Sequence, residues 1–261
     1  MKNNLLRELL NEGKPTIGTH VIIPWPRLIE YIGNTGTLNY VEFVGEYSTF
    51  TLEHLENMGR AIDLYPNMSS MMKVEEQGRG HIATRALDAG IQNLLFTDCR
   101  NAEEVRECVR LVRPETPEAG GIHGTGVRRV QIGSNPKEWS KLMNEAVIAI
   151  MIEKKAAMDN LEDILAVKGV DMVQFGPADY SVSIGKPGKL RSPEVQKVQR
   201  DIIELALKKG VAPRVELGSF EQAKPFIEMG VRNFCIGGDL GVLYQWCQKN
   251  GKGMRELLAS T

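Results

Sequence analysis

Four phrases in this chain are built to one rule. LDAG-IQNLLF, AVKG-VDMVQF, LKKG-VAPRVEL and FIEMG-VRNFCIG each run from a helical stretch to a glycine stop and straight into an apolar strand. Glycine ends a helix because it enters the left-handed region without a Cβ clash. A strand after every helix means parallel neighbours, since parallel strands need a crossover. Strands are predicted at Gly18–Pro24, Tyr40–Glu46, Ser70–Glu75, Asn93–Asp98, Val147–Glu153, Asp171–Gly176, Pro213–Leu217 and Asn233–Gly237. The intervals carry apolar residues at i, i+3 and i+4, the pattern of a helix with one buried face. Thr51, Asn101, Ser192 and Ser219 stand where N-caps belong. Eight strand–helix units in 261 residues predict a single closed (β/α)8 TIM barrel over residues 1–261, with no composition shift to mark a second domain.

Composition excludes several function classes. Thirty-two Lys and Arg balance 33 Asp and Glu, a net charge of −1, so no general attraction to nucleic acid or an anionic membrane is expected. No apolar run has the roughly 18–20 residues needed to cross a bilayer. The start, MKNNLLRELLNEGKP, lacks a signal-peptide apolar region, and a cytoplasmic location is expected. Cys99, Cys108, Cys235 and Cys247 show no paired spacing and read as reduced thiols.

A barrel carries its chemistry at the carboxyl ends of its strands. Those ends hold Glu46 and Tyr47, Lys73, Asp98, Glu153, Asp179, Glu216 and Asp239. Several carboxylates facing one cavity repel one another unless a cation neutralises them. Hard oxygen donors suit Mg²⁺ or Mn²⁺ rather than zinc. The long segment Pro114–Ser134, with Gly121-Ile122-His123-Gly124 inside it, reads as a functional loop, and His123 as a histidine it could carry over the site. His20, in the first strand, is read as pointing into the barrel.

Two segments narrow the reading: AIMIEKKAAMDN, with Glu153, and GVDMVQFGPADYS, with Asp179 after Gly176-Pro177-Ala178. With the GGD of Gly237–Asp239, they make the chain resemble the HpcH/HpaI aldolase family, metal-dependent pyruvate aldolases related to citrate lyase β-subunits. The resemblance implies that Glu153 and Asp179 hold a divalent metal, Mg²⁺ or Mn²⁺. It implies that Gly176, Pro177 and Ala178 receive the carboxylate of a small-molecule 2-oxo acid. The expected activity is retro-aldol cleavage of a 4-hydroxy-2-oxo acid to pyruvate and an aldehyde through a metal-stabilised enolate. It also implies a homo-oligomer, a hexamer built as a trimer of dimers, in which the C-terminal helix is exchanged between subunits.

The chain departs from that family where a base dyad belongs. Family members read Asp-Gly-Glu-His after the second strand; here Val44-Gly45-Glu46-Tyr47 stands. Glu46 is kept, Val44 carries no proton, and Tyr47 is a weak base with an ordinary pKa near 10. Lys73 replaces an Arg, Met151 a Gln, and Glu216 an aliphatic residue near the aldehyde. Candidate catalytic residues are therefore Lys73, Glu46, Tyr47 and His123, with Glu216 shaping the acceptor pocket. Glu42 interrupts an apolar strand and calls for an arginine partner, either as a buried Arg–Glu network or in a pocket for a polar or cationic acceptor. Without the dyad, oxaloacetate-type decarboxylation or acyl-CoA cleavage at the same metal site are the alternatives, and a non-catalytic binding protein is the alternative of another class.

Overall fold

The computed structural model describes residues 2–126 and 128–260. Its strands are β1 (Thr16–Val21), β2 (Tyr40–Val44), β3 (Ser69–Val74), β4 (Asn93–Phe96), β5 (Ile148–Ile152), β6 (Met172–Phe175), β7 (Ala212–Leu217) and β8 (Asn233–Gly238). They pair in chain order, all parallel, and β8 returns to β1 to close the barrel. Every predicted strand overlaps an observed one. The carboxyl ends of β1 to β6 stop one to three residues early because the chain turns there into short helical or irregular segments, whereas β7 ends as predicted and β8 runs one residue further. β2, for instance, gives way at Gly45 to a 3₁₀ turn over Gly45–Tyr47.

Alternation along the strands separates two cores. Tyr40, Met71, Leu95, Val147, Ala149, Met151 and Met172 pack inside the barrel. Val41, Phe43, Met72, Leu94, Phe96, Ile150 and Val173 face outward against the helices. Local signals act as expected at the helix starts. Thr51 and Asn101 accept backbone N–H groups of the helices Leu52–Asp63 and Ala102–Val112, and Ser192 does so for Pro193–Lys209. Ser219 instead precedes a 3₁₀ turn over Phe220–Gln222, and Pro225 opens the short helix Lys224–Glu228 that follows. Gly90 and Gly210 stop their helices in the left-handed conformation.

The amino-terminal end of the barrel is closed by the helix Leu5–Asn11. Leu6 inserts into the interior core, Asn4 donates to Asn93 at 2.7 Å, and Arg7 grips both Asp171 oxygens at 2.6 Å. Asp171 also accepts the Ile148 N–H at 2.9 Å. The Asp of the Gly169–Asp171 segment is thus a structural tie at the end remote from the strand carboxyl termini. Among the described residues no helix is long and apolar enough to cross a membrane.

Candidate active site

The carboxyl ends of the strands surround a cleft of ≈ 510 Å³ whose walls include His20, Tyr47, Lys73, Glu153, Gly176–Asp179, Glu216 and the start of the last helix. One side is organised around Glu153. It follows β5 directly and is almost wholly buried, and its Oε1 accepts the Asp98 N–H at 2.8 Å. Asp98 presents that N–H from φ +59°, a left-handed backbone that non-glycine residues seldom adopt. Burial, helped by repulsion from Asp98 and Asp179, pushes the Glu153 carboxyl up to about 7. Gly176 follows β6 directly, beside that carboxyl. A Cβ there would come 2.7 Å from Glu153 Oε2 and 2.9 Å from Met151 Cε, so the close approach requires glycine.

Pro177 opens the helix Pro177–Ser183, and its first turn places Ala178 and Asp179 at the cleft. Asp179 is half-exposed. Lys154 bridges it to Asp98, with Nζ 3.5 Å from Asp179 Oδ1 and 2.6 Å from Asp98 Oδ1. Lys154 escapes a reading that looks only at the last strand residue, since it lies one position beyond Glu153. The oxygen donors of Glu153 and Asp179 face one cleft, Glu153 is held unpaired enough to titrate near neutrality, and Gly176 leaves space beside it. This set fits a hard divalent cation.

Lys73, on β3, is buried. Its ammonium lies 2.6 Å from Glu46 Oε2, donates to the Tyr47 hydroxyl at 3.3 Å and sits 4.7 Å over the Tyr47 ring. Burial would lower the Lys73 pKa, but Glu46 outweighs it and raises it, so the group stays an ammonium. Burial raises the Tyr47 hydroxyl above its ordinary value, so it stays protonated. The structure therefore brings Lys73, Glu46 and Tyr47 together as a fixed positive charge with its partners.

The opposite side was only partly visible in the sequence. Arg214 on β7 is fully buried and pairs with Glu42 Oε2. It also donates to Gln174 and, at 2.7 Å, to the Tyr40 hydroxyl, which in turn donates to the Phe234 carbonyl at 2.9 Å. Burial would raise the Glu42 carboxyl, but Arg214 and His20 hold it down at about 2. Gln174 donates to Glu216 at 3.1 Å, and His20 stands between the two acids, Nε2 3.2 Å from Glu42 Oε1 and Nδ1 3.4 Å from Glu216 Oε1. Of the two readings of Glu42, the buried Arg–Glu network is the one present. Cys235 completes a set of nitrogen, oxygen and sulfur atoms within 4.8 Å of one another.

Two other sequence candidates have structural duties. His123 is not brought to the cleft. It is buried, with Nε2 3.2 Å from Asp88 Oδ1, Nδ1 3.4 Å from the Leu111 carbonyl and its ring 5.2 Å from that of Trp139. Asp88 and Leu111 lie in the last turns of their helices, at the amino-terminal end of the barrel. The segment carrying His123 follows a helix rather than a strand, and that connection belongs to the far end. Asp239, at the rim, spends its carboxylate on the N–H groups of Ile22, Ile23 and Leu240.

With this geometry in place, comparison with known proteins decides the family. The model of the HpcH/HpaI aldolase/citrate lyase family matches residues 53–244. The chain belongs to this family. Its relatives include a 4-hydroxy-2-oxo-heptane-1,7-dioate aldolase of Shigella boydii, 29% identical over 241 residues, covering 92% of this chain and 90% of the other. Among solved structures, a HpcH/HpaI family protein from Burkholderia cenocepacia superposes with a TM-score of 0.88 at 22% identity, over 97% of this chain and 100% of that one. A HpcH/HpaI aldolase from Desulfitobacterium hafniense gives 0.87 at 24%, over 97% and 98%. These two show the same fold. As a member of an aldolase and lyase family, the chain is a lyase, and the family chemistry calls for a divalent metal.

Proposed function

We propose that the chain cleaves the C3–C4 bond of a 4-hydroxy-2-oxo acid, releasing pyruvate or a related 2-oxo acid and an aldehyde. The observation that carries this reading is the buried Glu153 carboxyl set beside Asp179 and the Gly176-Pro177-Ala178 turn in one cleft. Glu153 and Asp179 would hold the divalent cation, Mg²⁺ or Mn²⁺. That cation supplies positive charge against the electron pair that moves onto the 2-oxo acid as the C–C bond breaks.

The chain's own groups do the rest. The N–H groups of Ala178 and Asp179 stand in the first turn of a helix, where they have no intrahelical acceptor, and can receive the substrate carboxylate. Pro177 fixes the turn that aims them. Lys73, kept as an ammonium by Glu46, adds a positive charge to the same cleft and acts on Glu153. Glu216 lines the cleft beside His20 and is half-exposed. A carboxylate there repels a second substrate carboxylate and favours a hydroxylated or cationic aldehyde. The likeness to heptanedioate aldolases therefore supports the 4-hydroxy-2-oxo acid class, and Glu216 supports a different acceptor end. Replacing Glu216 with Leu should shift aldehyde preference toward apolar partners; an unchanged ranking would sink that assignment.

The test of the main reading is incubation with Mn²⁺ or Mg²⁺ and oxaloacetate, then with pyruvate in D₂O. Metal-dependent decarboxylation and deuterium uptake at the methyl group are the expected results. Neither reaction, with no metal bound, would favour a binding protein on this barrel.

A further inference from the structure

Retro-aldol cleavage requires that the C4 hydroxyl lose its proton as the C3–C4 bond breaks, so the cleft must hold an acceptor. Several of its titratable groups are committed. Lys73 is an ammonium gripped by Glu46, Tyr47 keeps its own proton, and Asp239 is occupied by backbone N–H groups. Glu153 and Asp179 form the proposed cation site. His20 and Glu216 remain, and His20 is the histidine among the described residues lining the cleft.

We propose that His20 is the residue that exchanges a proton with the substrate C4 hydroxyl, oriented by Glu42. This inference rests on the lyase reading above and adds a residue to it. His20 comes at the end of β1 where the β1–β8 register shifts between Gly18 and His20. Such an irregularity re-aims a side chain at the rim of a barrel. Its Nε2 and Glu42 Oε1 face each other at 3.2 Å, both closed off from solvent, and no aligned hydrogen bond reaches either atom. Glu42 is in turn fixed through its second oxygen by Arg214, which Tyr40 and Gln174 hold. A buried carboxylate on one imidazole nitrogen selects the tautomer with its hydrogen there, leaving a lone pair on the other. That other nitrogen, Nδ1, points to the side of the half-exposed Glu216.

In the cleavage direction the hydroxyl proton passes to Nδ1. The O–H electron pair becomes the second C–O bond of the aldehyde. The C3–C4 electrons pass to C3 and the C2 oxygen, and a proton from solvent on C3 completes the 2-oxo acid. The imidazolium then returns its proton to solvent, so no oxidant or reductant is needed. Glu42 on β2, Glu216 on β7 and Cys235 on β8 surround the ring, with Arg214 behind Glu42, and Lys73 on β3 also acts on Glu42. Burial would favour the neutral ring, but Cys235 and Glu42 outweigh it and favour the imidazolium. Cleavage should therefore rise with pH as His20 loses its proton.

Oxaloacetate decarboxylation provides an internal comparison, because it breaks a C–C bond at the same site with no hydroxyl proton to remove. His20→Asn and His20→Ala are assayed with Mn²⁺ on oxaloacetate and on 4-hydroxy-2-oxopentanoate. We expect the ratio of cleavage to decarboxylation to fall by about 10²-fold or more, the range of one lost acid–base group. We also expect the pH profile of cleavage in both variants to collapse onto that of decarboxylation, which carries the Glu153 ionisation common to both reactions, and added imidazole to restore part of the cleavage by His20→Ala. An unchanged ratio, or a rising limb that cleavage keeps in both variants and decarboxylation lacks, overturns the role of His20. If the parent protein performs neither reaction, the lyase reading falls, and this inference with it.

Discussion

Burial just past β5 sets the Glu153 carboxyl at about 7, above the 4.5 of a free glutamate. An acid whose folded pKa is raised binds its proton more tightly in the fold than in the unfolded chain. Its contribution to stability is therefore full below pH 4.5 and declines as pH rises through 7. Glu153→Gln removes the ionisation, so at pH 8 in a chelator the variant should be more stable than the parent by on the order of 2–3 kcal/mol. It should also lose metal-dependent turnover. Urea denaturation at pH 5 and pH 8 checks this, because the difference must grow with pH; a parent equal to the variant at pH 8 would refute the burial argument. Gly176 works on the same carboxyl by shape. Gly176→Ala puts a methyl 2.7 Å from Glu153 Oε2, and the carboxyl must move. The expected result is at least a tenfold lower kcat, since about 1.4 kcal/mol of misplacement corresponds to a factor of ten, with weaker Mn²⁺ binding by calorimetry. Parent-like values for both would show that Glu153 has freedom the packing denies it.

Strands, not single residues, create the other half of the cleft. Glu42 on β2, Gln174 on β6 and Arg214 on β7 project inward at similar height, so one guanidinium joins three strands. Breaking such a buried pair leaves an unpaired charge, and Arg214→Met should destabilise the fold by about 3–5 kcal/mol. Glu42 also gives acid sensitivity of a defined sign. Its folded pKa of about 2 lies below the unfolded 4.5, so its stabilisation is present above 4.5 and is lost as pH falls toward 2. The stability difference between the parent and Glu42→Gln, followed by denaturation, should shrink over that window; a difference constant from pH 5 to pH 2 would exclude ionic pairing. This network also marks how far the sequence could be read. Strand order, glycine stops and the placement of Glu153 directly after its strand are local or periodic properties, and alternation reveals them; Asp179, in the helical turn beyond β6, was marked by the family motif instead. Glu42 was recognisable as an acid needing an arginine, but which arginine depends on barrel closure, which brings β7 across to β2. Tyr40 shares a face with Glu42 by simple parity, and counting by two places it inside the barrel. His123 was drawn toward the mouth by its glycine-rich setting, although a segment that follows a helix belongs at the opposite end.

The helix Asp239–Ala259 bears on the whole molecule, because none of its residues is buried within this chain. Val242, Tyr244 and Trp246 are more than three-fifths exposed, and Leu243 and Leu257 add further apolar surface. Exposed apolar surface of this extent is expected to be covered by another protein surface. A second copy of the same chain can cover it symmetrically, which agrees with the exchange of this helix implied by the family resemblance. The first turn of the helix matters most for function, since Leu240, Gly241 and Val242 stand on the wall of the cleft while the rest extends away. Contact with a neighbouring subunit would thus hold that wall in place through the helix beyond it. The parent protein should run in light scattering as an oligomer, a hexamer by the family pattern. A double variant, Leu243→Glu with Trp246→Glu, should fall to a smaller mass, and its KM for the 2-oxo acid should rise severalfold while its affinity for added Mn²⁺ stays that of the parent. A monomeric parent would remove the need for any covering partner. A smaller variant with unchanged KM would show that the helix assembles the subunits without shaping the cleft.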